Sequence, residues 1–311
     1  MRILFAGTPE VSATILEWLV KSGHEISCVL TRTDSYVGRK RILTPSATAS
    51  KAAELGLPII KANRVDDGTL SQIASFNIDL AIVVAYGSIL NQRALEAVPT
   101  GWFNIHFSLL PKYRGAAPVQ RALLNGDRET GVTIFQLDPG MDTGPVLSSL
   151  STSIGCNESS GELLARLAEL AKSLLSEALP QLYSGTFKLH EQSGDSSSAP
   201  KPTREEARLE FNRPASTLEN IVRGMNPEPM AWCMVGDEVL RVLSAAEIGS
   251  ASLVSGDASA SPGSLLSVEG KVFVVCGQDS ILELLEVQPS SKRAMPASDW
   301  FNGNRSLERL N

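Results

Sequence analysis

The first ninety residues alternate between short apolar runs and amphipathic stretches. Apolar runs at 2–7 and 24–30 predict two strands, and the stripe Ile15, Leu16 and Leu19 predicts a helix between them. A strand–helix–strand opening builds a parallel sheet with helices on its faces. The run 78–85 is apolar at nearly every position, which is typical of a central strand buried on both faces. The chain is therefore expected to begin with an α/β domain that has a mainly parallel sheet.

Further elements follow along the same domain. We predict helices over 46–55, 114–125 and 159–179 and strands over 57–60, 103–106 and 131–137. Thr8 is expected to cap the first helix, Pro9 to occupy its first turn and Gly23 to follow its end. The leucine stripe of 159–179 is interpreted as core packing.

The last third of the chain has a different pattern. A Ser- and Gly-rich stretch at 184–198 predicts a surface connection. A helix over 218–225 and a rigid turn over 226–232 are expected next, followed by short strands at 239–242, 263–268, 271–275 and 281–287. Several short strands after a helix favour a small five-stranded β-barrel of the OB-fold type. We therefore expect domains at 1–183 and 207–311, joined by a linker at 184–206.

Length and composition narrow the class of protein. The 311 residues are too many for one typical core, and no apolar run approaches the roughly 20 residues of a membrane helix. The four scattered cysteines fit a reducing compartment. We expect a cytoplasmic monomer that does not bind membranes. The net charge of −6 argues against non-specific nucleic-acid binding, so an RNA partner would have to meet a local basic patch.

One such patch lies between residues 31 and 45. Four basic residues, Arg32, Arg39, Lys40 and Arg41, stand there against the single acid Asp34. From charge alone, an ordinary solvated loop and a nucleic-acid contact both remain open.

The strongest candidate for chemistry is a polar set near the middle of the chain. Asn104 and His106 end an apolar strand and, with a period of 2, lie on the same side of it. Asp142 follows in a loop bounded by glycines and prolines. Asn can stabilise an oxyanion, His can move a proton and Asp can orient or charge the His, which together suit acyl transfer. The alternative is a hydrogen-bonded polar cluster that only shapes the crevice.

Cofactor signals are weak. The first turn, Gly7-Thr8-Pro9, lacks the G-x-G-x-x-G loop of dinucleotide sites. The three histidines are too far apart in sequence to suggest a metal site, so no metal is expected. Ligands of open α/β sheets bind beyond the carboxyl ends of strands, so residues 86–90 and 103–106 are expected to line one crevice.

These motifs resemble a known family. Asn104-Ile105-His106, Ser108-Leu109-Leu110-Pro111 and Asp142 together are similar to the signature of the 10-formyltetrahydrofolate-dependent formyltransferases. The segments 114–121 and 129–133 are similar to the branch that acts on methionyl-tRNA. Phe107 departs from the pattern, because the family commonly has a small Gly after the His. The ring is expected to narrow the space beside His106.

The resemblance implies a Rossmann-like formyltransferase domain, with 10-formyltetrahydrofolate as the formyl donor and initiator methionyl-tRNA as the acceptor. Asn104, His106 and Asp142 are then the catalytic residues. Folate contacts are expected from Tyr86, Gly87, Ile89, Leu90, Ser108, Leu109, Leu110, Pro111 and Asp138. The basic loop is similar to an insertion that holds the acceptor end of the tRNA, which implies contacts from Arg39, Lys40 and Arg41. Lys201, in the segment that crosses between the domains, is the fourth expected tRNA contact.

Two other functions remain open at this point. A related formyltransferase could act on a small amine, such as a sugar nucleotide or glycinamide ribonucleotide. The basic loop and the C-terminal β-domain argue against it, because a small substrate needs neither. An RNA-binding module with an inactive catalytic domain is the third interpretation, and the intact Asn104, His106 and Asp142 argue against it.

Overall fold

A computed structural model describes residues 1–38, 40–250 and 261–311 of the chain. Two compact units are present. The first comprises Met1–Pro118, Glu129–Ser153 and Leu164–Pro200, and the second comprises Val119–Arg128, Ile154–Leu163 and Lys201–Asn311. The division at 183 and 207 and the linker between them stay predictions.

The strands, in chain order, are β1 (Ile3–Gly7), β2 (Ile26–Thr31), β3 (Ser35–Val37), β4 (Ile42–Thr44), β5 (Ile59–Lys61), β6 (Leu80–Val84), β7 (Trp102–His106), β8 (Glu129–Gln136), β9 (Val146–Ser153), β10 (Ala231–Val235), β11 (Glu238–Ser250), β12 (Leu265–Val268), β13 (Lys271–Cys276), β14 (Ser280–Pro289) and β15 (Met295–Pro296). The helices are α1 (Glu10–Lys21), α2 (Ala47–Glu54), α3 (Asp67–Ala74), α4 (Gln92–Glu96), α5 (Pro118–Leu124), α6 (Ser160–Ser184), α7 (Ala215–Met225) and α8 (Ala297–Asn302).

The first unit is built on a seven-stranded sheet in the order β5-β2-β1-β6-β7-β8-β9. The strands from β5 to β7 are parallel, whereas β8 and β9 pair antiparallel at the other edge. Every residue of β1 and β6 is buried, as the apolar runs predicted. This sheet confirms the prediction of a mainly parallel α/β domain. It puts the end of β7 beside the end of β6 and, on the other side, beside Thr133 in the antiparallel β8.

Close packing between β1, α1 and β6 requires a glycine at position 7. A Cβ there would lie 2.6 Å from the Ser12 Cβ and 2.9 Å from the Val84 carbonyl oxygen. Ser12 itself is fully buried and its hydroxyl donates to the Val84 carbonyl at 2.5 Å. The first turn is therefore closed by the buried Ser12 hydroxyl and a tightly packed glycine.

The prediction that Thr8 caps α1 is wrong. The N-cap position is Pro9, whose side chain makes no capping hydrogen bond. The Thr8 hydroxyl instead donates to the Tyr86 carbonyl at 2.9 Å, which ties the first turn to the end of β6. A hydroxyl before a helix can bond locally or across strands, and in this fold the neighbouring strand end offers an acceptor.

The segment expected to be a basic loop contains a β-hairpin, because β3 and β4 pair antiparallel from Ser35–Thr44 to Val37–Ile42. Arg41 lies over the Tyr36 ring, with 5.3 Å between the guanidinium carbon and the ring centroid. Four large apolar side chains are exposed on the hairpin, namely Tyr36, Val37, Ile42 and Leu43. Basic charge is thus combined with exposed apolar surface, which the charge pattern did not predict.

The second unit is an antiparallel β-domain with helices. Its sheet runs β10-β11-β14-β13-β12, with β15 paired to β14. The apolar side of α7, including Leu218, Val222 and Met225, packs in the core with β10, β11 and β14. The predicted C-terminal β-domain is confirmed. The rigid turn is shorter than expected, because Ala231 and Trp232 already belong to β10.

Within the described residues, no helix combines the length and apolar character needed to cross a bilayer. Burial of Cys28 raises the pKa of its thiol to about 12, so this cysteine is an inert part of the core.

Candidate active site

The candidate site begins on β7. Its residues Asn104 and His106 pair with Phe135 and Thr133 of β8, respectively. Side chains two residues apart on a strand share a face at a separation of roughly 7 Å. His106 is buried, and the Phe135 ring meets the imidazole edge to face at 6.3 Å between centroids. The strand therefore presents an amide and an imidazole side by side.

Hydrogen bonding fixes the tautomer of His106. Its Nε2 lies 2.8 Å from the main-chain carbonyl oxygen of Tyr113, which can only accept. Nε2 thus carries the proton, and Nδ1 is the nitrogen left for chemistry. The nearest Asp142 carboxylate oxygen, Oδ2, is 3.8 Å from Nδ1. That distance gives a charge interaction without a direct hydrogen bond.

Burial dominates the electrostatics of His106. Desolvation lowers the pKa of the imidazole, while the Asp142 carboxylate and the hydrogen bond to Tyr113 oppose that shift. The ring is therefore neutral at neutral pH, and its Nδ1 lone pair can accept a proton. Once protonated, the imidazolium would face a carboxylate.

Asp142 is held in an unusual backbone conformation. Its φ of +53° lies in the left-handed region, which residues with a Cβ rarely adopt. The Gly115 main-chain N–H donates to Asp142 Oδ2 at 2.7 Å. Earlier in the same loop, Asp138 accepts from Gly140 N–H at 3.0 Å and from the Thr143 hydroxyl at 2.7 Å. Asp138 thus stabilises the loop through hydrogen bonds within it. The Asp142 carboxylate faces His106.

The Asn104 amide differs from its neighbours in its hydrogen bonding. Among the described residues, no hydrogen bond or other polar partner of its side chain is present, and the residue is half-buried. A half-buried amide without a protein partner is open to solvent or to a ligand. The structure therefore brings the three predicted catalytic residues into one unit and leaves one donor available beside the histidine.

The residues expected to bind folate fall into two groups. Tyr86 and Leu90 are buried, and the Tyr86 hydroxyl donates to the Ala62 carbonyl at 2.6 Å. Gly87 and Ile89 are exposed and line a cleft of about 470 Å³ together with Arg64, Val65, Asp66, Ser88 and Asn91. We therefore expect residue 86 to offer its main chain, because its ring belongs to the core.

The Ser108–Pro111 segment is mainly structural in its polar contacts. The buried Ser108 hydroxyl donates to the Lys112 carbonyl at 2.6 Å. Thr133 donates to the Ser108 carbonyl at 2.7 Å and accepts from the Leu110 N–H at 3.2 Å. Leu109 and Leu110 are half-buried, whereas Pro111 is buried. The segment shapes the turn that brings the Tyr113 carbonyl to His106.

The expected tRNA contacts lie in different parts of the chain. Arg39 lies outside the described residues. Lys40 and Arg41 are exposed on the hairpin, and Lys201 is exposed in the second unit. Their role in tRNA binding stays a prediction.

Sequence reasoning missed the groups that hold the site together. The Tyr113 carbonyl and the Gly115 N–H act through the main chain, so their side chains carry no signal. Gln192 lies in the Ser- and Gly-rich stretch, where its Nε2 donates to the carbonyls of Asp142 and Gly144, both at 2.8 Å. Within the described residues, no group of three or more His, Cys, Asp and Glu side chains could hold a metal ion.

Comparisons with known proteins agree with this arrangement. Residues 1–179 match the family model described as formyl transferase, and residues 201–305 match the formyl transferase C-terminal domain. A methionyl-tRNA formyltransferase of Paenarthrobacter aurescens is 42% identical over 310 residues, covering 100% of this chain and 99% of the relative. One from Renibacterium salmoninarum is 43% identical over 303 residues, covering 97% and 96%.

A solved structure agrees in fold. HypX from Aquifex aeolicus in complex with tetrahydrofolic acid is similar with a TM-score of 0.67 at 18% identity, over 97% of this chain and 47% of that one. At this identity the likeness shows the fold alone. The full-length matches at about 40% identity go further, and the chain belongs to the methionyl-tRNA formyltransferase family.

Proposed function

We propose that this chain transfers a formyl group from 10-formyltetrahydrofolate to the α-amino group of methionine on initiator methionyl-tRNA. The observation that carries the proposal is an Asn104 amide, unpaired among the described residues, beside a buried histidine that faces the Asp142 carboxylate. Family membership and the tetrahydrofolic acid bound by HypX support a folate as the donor. Full-length similarity to methionyl-tRNA formyltransferases supports a tRNA acceptor over a small amine.

The folate supplies an activated formyl carbon, and the residues of this chain act around it. His106 is neutral before the reaction, so its Nδ1 can accept the proton that the attacking amine loses. The charged imidazolium is then stabilised by Asp142, 3.8 Å away. As the new C–N bond forms and the bond to the folate nitrogen breaks, the same Nδ1–H can return the proton to that leaving nitrogen. Protons and bonds balance without any further reactant.

Asn104 acts on the negative charge that develops at the formyl oxygen. Its side-chain amide is a donor with no other partner among the described residues, so it is available without breaking an existing bond. A preorganised donor of this kind costs no reorganisation when the charge appears. Asn104 is therefore the oxyanion donor, and His106 with Asp142 is the proton-transfer pair.

The setting of the reaction completes the proposal. The chain works in the cytoplasm as a monomer, where charged initiator tRNA is available. Lys40, Arg41 and Lys201 contact the tRNA, and the 86–90 and 138–142 segments contact the folate.

The decisive experiment compares the wild type with Asn104→Ala in formylation of initiator methionyl-tRNA by 10-formyltetrahydrofolate. Loss of one oxyanion donor should lower the transfer rate by about 10²–10³-fold. Single-turnover kinetics measure it, and thermal unfolding checks that the fold is kept.

Asn157→Ala, an exposed position in the second unit, is the matched control and should transfer at the wild-type rate. An Asn104→Ala rate equal to the wild type would remove Asn104 from the mechanism. Wild-type transfer to a small amine but not to the tRNA would favour the small-amine formyltransferases.

A further inference from the structure

Residues 190–199, named the strap, contact two segments of the active site. These are the turn that contains Tyr113 and Arg114 and the loop that contains Asp142 and Gly144. The strap lies between the two regions that match the family models. Its first residue, His190, bridges Val146 on the main chain, with hydrogen bonds of 2.7 and 2.9 Å. Most strap side chains are exposed, as expected of a surface connection, but its polar contacts are directed inward.

Gln192 makes the most specific of these contacts. Its Nε2 donates to the carbonyls of Asp142 and Gly144, so one amide group connects two residues of the loop that carries Asp142, which is called the catalytic loop. Its Oε1 accepts from Arg114 Nε at 3.1 Å and from Nη2 at 2.6 Å. The amide is thus fixed at both ends, and its rotation is prevented by the guanidinium.

We propose that Gln192 is a positioning residue for formyl transfer, which holds the Asp142 loop so that the carboxylate faces His106. The inference rests on the function proposed above. Such support suits Asp142, because its φ of +53° lies in the left-handed region, which is less favourable than the right-handed one even though Asp tolerates it better than most residues with a Cβ. The hydrogen bond from Gln192 Nε2 to the main-chain carbonyl of Asp142 restrains that backbone conformation. The hydrogen bond from the Gly115 N–H restrains the Asp142 carboxylate.

The far end of the strap supports the histidine side of the site. The Ser197 hydroxyl accepts from the Tyr113 N–H at 2.9 Å, and the Ser197 carbonyl accepts from the Arg114 N–H at 2.8 Å. Gly115 has a φ of +127°, and a Cβ there would lie 2.8 Å from the Ala199 carbonyl oxygen. The same strap therefore fixes both the carbonyl that orients His106 and the amide that orients Asp142.

The test uses Gln192→Met in the full-length chain, because Met is close in size and uncharged but neither donates nor accepts strongly. We expect kcat to fall by about 10²-fold, the loss that a misplacement of about 1 Å can cause, and KM for the tRNA to stay within about 2-fold. Gln181→Met on the exposed side of α6 is the matched control and should leave both constants unchanged.

A second readout does not depend on turnover. Asp142 is the charged side chain that faces His106 and raises its pKa, so a displaced carboxylate should lower the pKa of His106 further. NMR titration measures this pKa, with the His106 signal assigned by His106→Gln. A lower pKa in Gln192→Met supports the positioning role even if the acceptor proves not to be tRNA. An unchanged pKa together with an unchanged kcat overturns it.

Gln192→Glu is a second variant, which keeps the proposal testable if Gln192→Met folds poorly. The carboxylate keeps the size of the side chain and its pairing with Arg114 but has no donor for the Asp142 and Gly144 carbonyls. A fall in kcat similar to that of Gln192→Met supports the proposal. Wild-type kcat in a folded Gln192→Glu protein shows that the two donor contacts do not matter, and the proposal is then wrong.

Discussion

At His106, burial and a neighbouring carboxylate act on the same proton in opposite directions. Burial is the larger effect and lowers the pKa, while Asp142 limits the shift and becomes important only when the ring is charged. An imidazole that is neutral at rest and stabilised when protonated suits a group that must take and return a proton. The residue types at positions 104, 106 and 142 suggested this chemistry from the sequence. The role of the Tyr113 carbonyl could not be predicted from the sequence, although this group decides that Nδ1 is the reactive nitrogen.

The lowered pKa of His106 predicts how stability depends on pH. The unfolded chain binds a proton at the ordinary pKa near 6.5, whereas the folded chain resists it until a lower pH. The free energy of unfolding should therefore decrease as the pH falls below about 6.5, down through the folded-state pKa. Urea unfolding of the wild type and His106→Gln, at several pH values, measures the difference.

His24, whose pKa burial also lowers, is present in both proteins and cancels. Parallel stability curves for the two proteins would contradict the assignment of a depressed pKa to His106.

Among the elements, the strands of the first sheet follow closely from their apolar runs, because burial on both faces leaves few alternatives. The β3–β4 hairpin was harder to foresee. Its strands are three residues long, and neither face is buried against the core, so no alternation with a buried side exists to be recognised. Tyr36 pairs with Leu43 and Val37 with Ile42, which leaves apolar groups exposed on both faces. Exposed apolar surface next to Lys40 and Arg41 suits the unstacked bases and phosphates at the end of an RNA.

The hairpin should contribute to binding and not to folding. Replacing Tyr36 by Ser removes the ring, and base–aromatic stacking is worth about 1–3 kcal/mol, so KM for methionyl-tRNA should rise roughly 5- to 150-fold. Tyr36→Phe keeps the ring and should behave like the wild type. Steady-state kinetics measure KM, and chemical unfolding should give equal stability for all three proteins.

Equal KM values for Tyr36→Ser and Tyr36→Phe would exclude stacking on this ring. A loss of stability in Tyr36→Ser would instead indicate a structural role.

For the whole molecule, the negative net charge is unfavourable for binding the proposed acceptor, because tRNA is itself negatively charged. A protein of net charge −6 that binds a polyanion has to concentrate its cations where the RNA lies. The family match and the fold class were accessible from the sequence, since ordered motifs and apolar runs carry both. The hydrogen bonds from Gln192 to the catalytic loop could not be predicted from the sequence, because a single Gln in a stretch rich in Ser and Gly has no pattern around it.

Salt dependence tests where the cations act. If Lys40 contacts a phosphate, Lys40→Ala should reduce the slope of log K against log salt concentration for tRNA binding by about 1. Lys21→Ala, at an exposed position of α1 where Lys21 pairs with Glu17, should leave the slope unchanged. Filter binding at several KCl concentrations gives both slopes, and identical slopes for the two variants would place Lys40 outside the interface.

The strap has a consequence for how such proteins can be cut and recombined. The last strand of the catalytic sheet ends at Ser153, yet the groups that align the reacting side chains come from residues 190–199. All seven strands of the sheet are therefore synthesised before the residues that fix its catalytic geometry. Any exchange of C-terminal modules between relatives keeps that geometry only if the junction falls after the strap, near Pro200, where the first compact unit ends.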